Sequence, residues 1–261
     1  MSYRARLWKT IDRRKAAYRS KMKPVFLAAL KKHVEPLYEV IPRYSDITQL
    51  EVPRLDMQPI IDAYKRLYMA TAFDFAVFDR RQAKSMKDVA ILKSEEEIFE
   101  SIIQEQILSY LETNAGSTVT AVGDTSIQVI QSLLKQITPE IIEQGIGGGA
   151  AQTMLRDMIE SAWHRAAYYR TERIVRTDVN RAANWGSLEG VKSTDLPHYK
   201  VWLASFSAQS RQEHMDADSQ KVDINDAFSV GPDMLEYPGD PAGQAGNTIN
   251  CLCSMTYEIK Q

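Results

Sequence analysis

Apolar side chains recur at helical steps over most of the chain, and the pattern changes to strand-like alternation only after residue 190. Leu7, Ile11, Tyr18 and Met22 predict a helix from about Tyr3 to Lys23. Pro24 then ends or kinks it and starts a short second helix over Val25–Leu30. Pro36, Pro42 and Pro53 mark an extended connector. From Asp56 the helical pattern resumes, with Ile60, Ile61, Tyr64, Leu67, Tyr68 and Ala72 on one side. Phe73, Phe75, Val77 and Phe78 follow as packing anchors.

Ser94 and Glu97 have capping-box spacing and open a helix with Ile98, Ile102, Leu108 and Leu111 near one face. That helix is expected to end near Asn114 and Gly116 in a Gly/Ser/Thr loop. Asp124 or Thr125 would cap the next, with Ile127, Ile130, Leu133, Leu134 and Ile137 inward. Thr138-Pro139-Glu140 restarts helix, with proline at a favoured first position. Gly145 stops it, and Gly147–Gly149 makes a turn or hinge. No strand precedes this triple glycine and no Lys-Ser/Thr follows, so it is not a phosphate-binding fingerprint. A long helix spans about Ala151 to Trp185, and Gly186 and Gly190 are expected to end it. Tyr199–Phe206 alternates as a strand, Ser210 and Glu213 repeat the capping-box spacing, and Lys221–Ile224 reads as a second strand. Residues 231–246 form a Pro- and Gly-rich loop, and Cys251–Ile259 returns as a last strand. The fold class is α+β: a mainly helical N-terminal region, then a C-terminal module of a long helix packed on a small β-sheet. The expected division is residues 1–115 and residues 116–261.

Composition narrows the classes. The chain has no run of eighteen apolar residues, so no membrane span or membrane partner is expected. Its basic N-terminus lacks the apolar stretch of a secretion signal. Two cysteines one residue apart make a strained disulfide, which favours a reduced protein. The net charge of −2 hides an asymmetry: residues 1–32 hold eleven basic side chains against one acid. Arg4, Arg6, Lys9, Arg13, Arg14, Lys15, Arg19, Lys21 and Lys23 are therefore the expected contacts to double-stranded DNA, without base readout, or to an acidic protein surface. Arg165, Arg170, Arg173, Arg176 and Arg181 recur on the long helix. With Glu172 and Asp178 among them an ion-pair lattice is expected, and a phosphate-binding row is the alternative.

Three segments together resemble a known family. RTERIVRTDVNRAANWG, KVWLASFSAQSRQEHMDADSQKV and YPGDPAG…INCLC follow the order of the head morphogenesis domain of tailed phages, named after the F protein of phage Mu. Arg170-Thr171-Glu172 and Arg176-Thr177-Asp178 match the helix core, with Arg173 between them. Arg211 and His214 match the loop pair, and Pro238–Pro241, including Asp240, with Asn250–Cys253 match the end. Two positions depart: the family's Leu-Asp-Gly turn is Ala217-Asp218-Ser219, and the residue between the cysteines is Leu252 rather than Arg. The resemblance covers about residues 120–259. It implies a minor capsid protein of the virion, at the portal vertex or capsid interior, made in the host cytoplasm. It also implies portal, capsid or scaffolding proteins as partners, and no catalytic residues.

The histidine and cysteines also offer a set of metal ligands. His214, Cys251 and Cys253, with Asp216 or Asp218, would satisfy a four-coordinate zinc. The Cys-x-Cys spacing is tighter than usual, however, and His214 lies thirty-seven positions earlier, so buried thiols in a small core are the plainer expectation, without a cofactor. A Cys–His nucleophile lacks an identifiable orienting partner. Arg211, Asp216, Asp218 and Asp240 are expected to build a turn network. A non-viral nucleic-acid-binding protein and a zinc-dependent hydrolase are the competing classes.

Overall fold

A computed structural model of the chain describes residues 2–260, except for the side chain of residue 115. The fold is α+β. Helices α1 (Tyr3–His33), α2 (Glu35–Val40), α3 (Gln58–Ser85), α4 (Lys93–Glu143) and α5 (Gly148–Lys192) precede a small sheet region. There β1 (His198–Leu203), α6 (Gln212–Asp216), β2 (Lys221–Asp223), β3 (Phe228–Val230), β4 (Asp233–Leu235), α7 (Ala245–Thr248) and β5 (Ser254–Ile259) follow in order. The main sheet is antiparallel with order β2-β1-β5, and β3 pairs with β4 in a separate ribbon.

Two compact units share the long helices. The first comprises residues 1–22, 65–112 and 173–261; the second comprises residues 23–64 and 113–172. These bounds differ from a cut near residue 115, because α1, α3, α4 and α5 each contribute to both units.

Several expected helix ends are absent. Helix α1 continues through Pro24, where the chain neighbour losing its amide partner, Ser20, is exposed and open to water. Helix α4 runs unbroken through Gly116–Thr120, Asp124-Thr125 and Pro139, and Ser94 lies inside it rather than before it. Within that polar stretch the hydroxyls turn back onto the helix instead of opening a loop. Thr120, Thr125 and Ser126 each donate to the carbonyl four residues back, at 2.8, 2.7 and 2.8 Å. The buried face of its first half is Phe99, Ile103, Ile107 and Leu111; of the expected face only Leu111 lies inward, while Ile98, Ile102 and Leu108 are exposed.

Gly186 and Gly190 lie within α5 instead of ending it. In the first unit α3 comes so close there that a Cβ on Gly186 would stand 2.2 Å from the Ala72 carbonyl oxygen. One on Gly190 would stand 2.1 Å from that of Ala76. The glycines serve helix contact, with Ala72 and Ala76 as the matching small residues.

In the second unit, Phe26, Leu30, Leu37, Ile60, Ile130, Leu155, Ile159 and Trp163 are buried. The Trp163 indole donates to the Leu30 carbonyl at 3.0 Å. Arg170 is turned inward as well, donating to Ser126 Oγ and the Val122 carbonyl at 2.9 and 2.8 Å. In the first unit Arg181 is buried and paired with Asp178 at 3.0 Å. A phosphate-binding row along α5 is therefore overturned, since two of its arginines are spent inside the fold.

Candidate functional site

The sheet of the first unit places the chemistry. Val201, Trp202 and Leu203 of β1 are buried, and the chain turns from them through Ser205–Ser210 into the single turn of α6, which carries His214. The expected capping box does not form here: Arg211 occupies the cap without a side-chain bond, and the Ser210 hydroxyl donates to the Ser205 carbonyl instead. On the other side, Asn250 takes a left-handed backbone (φ 58°) that asparagine tolerates, and the chain then runs into β5. Cys251 and Cys253 lie on that run. Two-residue spacing in extended chain sends both thiols the same way.

His214, Cys251 and Cys253 meet there, all buried, with their ligand atoms within 4.8 Å of one another. Nδ1 of His214 lies 3.3 Å from Cys253 Sγ and 3.7 Å from Cys251 Sγ. The Ser205 amide donates to Cys253 Sγ at 3.3 Å, and Trp202 meets the imidazole edge-on with centroids 5.8 Å apart. Cys253 donates its S–H to Cys251, which with His214 holds the Cys251 thiol well below its ordinary range. The same bond, with burial, pushes Cys253 well up. Neither Asp216 nor Asp218 joins: Asp216 accepts from Gln212, and Asp218 accepts from the Ala204 amide and from Arg4.

The segments that carry the family resemblance surround this cluster. From α5, Asn184 donates to the Pro238 and Cys253 carbonyls at 2.8 and 3.0 Å, and Arg181 donates to the Gly239 carbonyl at 2.9 Å. Gly239 needs its positive φ of 90° to make that turn. Asp240 accepts from the Glu236 and Ala242 amides, closing the Pro-Gly-Asp-Pro loop on itself. Thr177 accepts from the Asn250 amide at 3.0 Å. Arg211 donates to the Ile249 carbonyl at 2.6 Å, rather than to a carboxylate. Arg173 stays exposed, and Arg176 faces the small cavity beside Cys251 and Cys253.

The basic N-terminal segment is no free arm in this unit, because part of it is docked. Arg4 binds Asp218 at 2.8 Å and the Trp202 carbonyl at 2.7 Å, and Trp8 donates to the Leu252 carbonyl. Lys15 is wholly buried, and its Nζ reaches Asn180 Oδ1, Asn184 Oδ1 and Ser254 Oγ at 2.8, 2.9 and 2.8 Å. Burial pulls its pKa from 10.5 down to about 7. This excludes Lys15 as a phosphate contact. Arg14 pairs with Asp74 and Arg19 with Asp12, both at 2.8 Å, while Lys23 pairs with Glu172 in the second unit. Arg6, Lys9, Arg13 and Lys21 are exposed. Sequence reasoning missed Lys15, Asn180 and Asn184 as the hub of this site. The cue in the chain is slight, a lysine among arginines on a helix, since its acceptors lie 165 and 169 residues away.

Among known proteins, the chain is 26% identical over 136 residues to the NAD(+)–arginine ADP-ribosyltransferase EFV of Enterococcus faecalis. That similarity takes in 49% of this chain and 26% of the relative, so the match is to about a quarter of that protein's length. No family model matches the chain, and no solved structure does. Among the described residues, no helix is long and apolar enough to cross a membrane.

Proposed function

We propose that the chain is a minor capsid protein of a tailed phage that acts in head morphogenesis. In this reading it docks at the portal or inner capsid and touches packaged DNA through the exposed residues Arg6, Lys9, Arg13 and Lys21. The observation that supports it is the convergence of the resembling segments. The α5 core, the Pro-Gly-Asp-Pro loop, the Asn-Cys-x-Cys end and the His214 loop share one hydrogen-bonded cluster, in bonds that span up to 73 residues of chain. The cluster serves architecture in this reading rather than catalysis, and any metal at His214, Cys251 and Cys253 is structural. Arginine ADP-ribosylation is not part of the proposal, since three-quarters of the named transferase lies outside the match.

Deleting the coding sequence from an inducible phage genome that carries it tests the proposal. Loss of infectious particles, restored by the chain supplied in trans, is expected. Undiminished particle yield and infectivity would overturn the assembly role. Replacing Arg6, Lys9, Arg13 and Lys21 together by alanine should flatten the salt dependence of DNA binding by the purified chain, because each lost phosphate contact removes about 0.9 from the slope.

A further inference from the structure

The geometry at His214, Cys251 and Cys253 points to a zinc site, and we propose that the chain binds one Zn²⁺ through His214 Nδ1 and the two thiolates, with a water as fourth ligand. The distances carry this. A tetrahedral zinc with Zn–S of about 2.3 Å and Zn–N of about 2.0–2.1 Å holds sulfur and nitrogen about 3.6 Å apart. The two sulfur–nitrogen separations here, 3.3 and 3.7 Å, bracket that edge. Both sulfurs face the same ring nitrogen, as they must if one ion lies among the three atoms.

The surroundings suit a soft, four-coordinate cation. Two thiolates and a neutral imidazole favour zinc over oxygen-seeking magnesium or calcium. Their two negative charges cancel those of the ion, so a neutral centre is buried and no net charge is left in the core. The Ser205 amide bonded to Cys253 Sγ is the type of outer partner that orients a thiolate ligand. The carboxylates that the sequence offered as a fourth ligand are engaged elsewhere, with Asp218 held by Arg4 and Ala204. What lies beside the three ligands is a cavity of about 20 Å³ walled by Ser205, Ser210 and Arg211. A cavity above about 10–15 Å³ admits one water. Binding is a simple exchange: the ion enters, two thiol protons leave to solvent, and no oxidation occurs.

The ligands come from α6, a single helical turn, and from the run into β5, two segments far apart in the chain. A zinc there joins them directly, and its binding energy becomes folding energy for the sheet module. The site stands whether or not the chain assembles into phage heads.

Metal analysis of the full chain, purified without chelator, tests this. Equimolar zinc is expected, falling to background in His214→Ala and in the double variant Cys251→Ser, Cys253→Ser. Should those variants fail to fold, the native chain still decides. Replacing zinc by Co²⁺ should give sulfur-to-cobalt charge-transfer absorption and the strong visible bands of a tetrahedral centre. Removing the metal with a chelator should lower the melting temperature by about 10 °C or more, reversed by Zn²⁺ and not by Mg²⁺. A native chain without metal that neither takes up Zn²⁺ nor shows a Co²⁺–thiolate spectrum overturns the site. So does a metal content unchanged when both cysteines are replaced.

Discussion

The indole Nε1 of Trp8 donates to the carbonyl of Leu252 across 3.0 Å, fastening the first helix to the residue between the two cysteines. Arg4, one turn earlier, holds Asp218 beside the His214 loop, and Lys15, two turns later, reaches Ser254 just past Cys253. One face of α1 thus clasps both segments that supply the His–Cys–Cys cluster. Trp8→Phe keeps an aromatic ring, though a smaller one, and removes the donor. Urea unfolding should show a loss of about 1 kcal/mol, the usual cost of an orphaned carbonyl. No change in midpoint would mean the clasp is not energetically coupled to the loop.

The α3–α5 contact in the first unit gives a sharper test. Gly186→Ala and Gly190→Ala each force a methyl into a backbone carbonyl that cannot rotate away. Each should cost at least about 2 kcal/mol in denaturant unfolding. Gly116, in α4 with nothing within 4 Å of an added Cβ, is the control: its alanine variant should gain up to about 1 kcal/mol.

Ser219 stands where the turn of the phage family that the chain resembles has glycine, and its backbone is left-handed, with φ of 70°. The chain accepts the strain because Asp218 accepts from the Ala204 amide just past β1 and the Ser219 amide donates to the Trp202 carbonyl. Ser219→Gly should therefore stabilise the chain by about 1 kcal/mol, read from the thermal midpoint. A neutral or negative effect would show that the serine side chain contributes more than its backbone costs.

Much of the sheet module is legible in the sequence because its signals are local. Alternation marks β1, and Lys221–Ile224 reads as the strand that becomes β2; the β3–β4 ribbon goes unread, because β4 lies in the Pro- and Gly-rich stretch that reads as loop. Helix ends are less so. Gly116 and Thr120 read as loop by composition, yet the hydroxyls bond back along α4; Gly186 reads as a stop, yet its role is set by Ala72 on a different helix. The His–Cys–Cys cluster is visible as residue types, but the spacing argues against it. Nothing in the chain announces that the α6 turn and the β5 run meet. The basic segment misleads for the same reason: a charge count does not reveal which lysine is buried.

Lys15 makes stability pH-dependent. Its folded pKa of about 7 lies below the 10.5 of an exposed lysine, so between those values the unfolded chain binds more protons. Stability contributed by this residue accordingly rises with pH across that window and is lowest below pH 7. From pH 7 to 9 the gain should be about 2 kcal/mol relative to Lys15→Met, in which that slope is absent. Comparing urea midpoints of the two proteins at both pH values isolates the lysine from thiols and tyrosines, which titrate in both. Parallel pH profiles would contradict the buried, desolvated lysine.

The assembly role itself meets its most direct test in mass spectrometry of purified phage particles and empty heads from cells expressing this chain. The chain is expected in both, at a small fraction of the copies of the major shell protein. Infectious particles and intact heads free of it would contradict the assembly role.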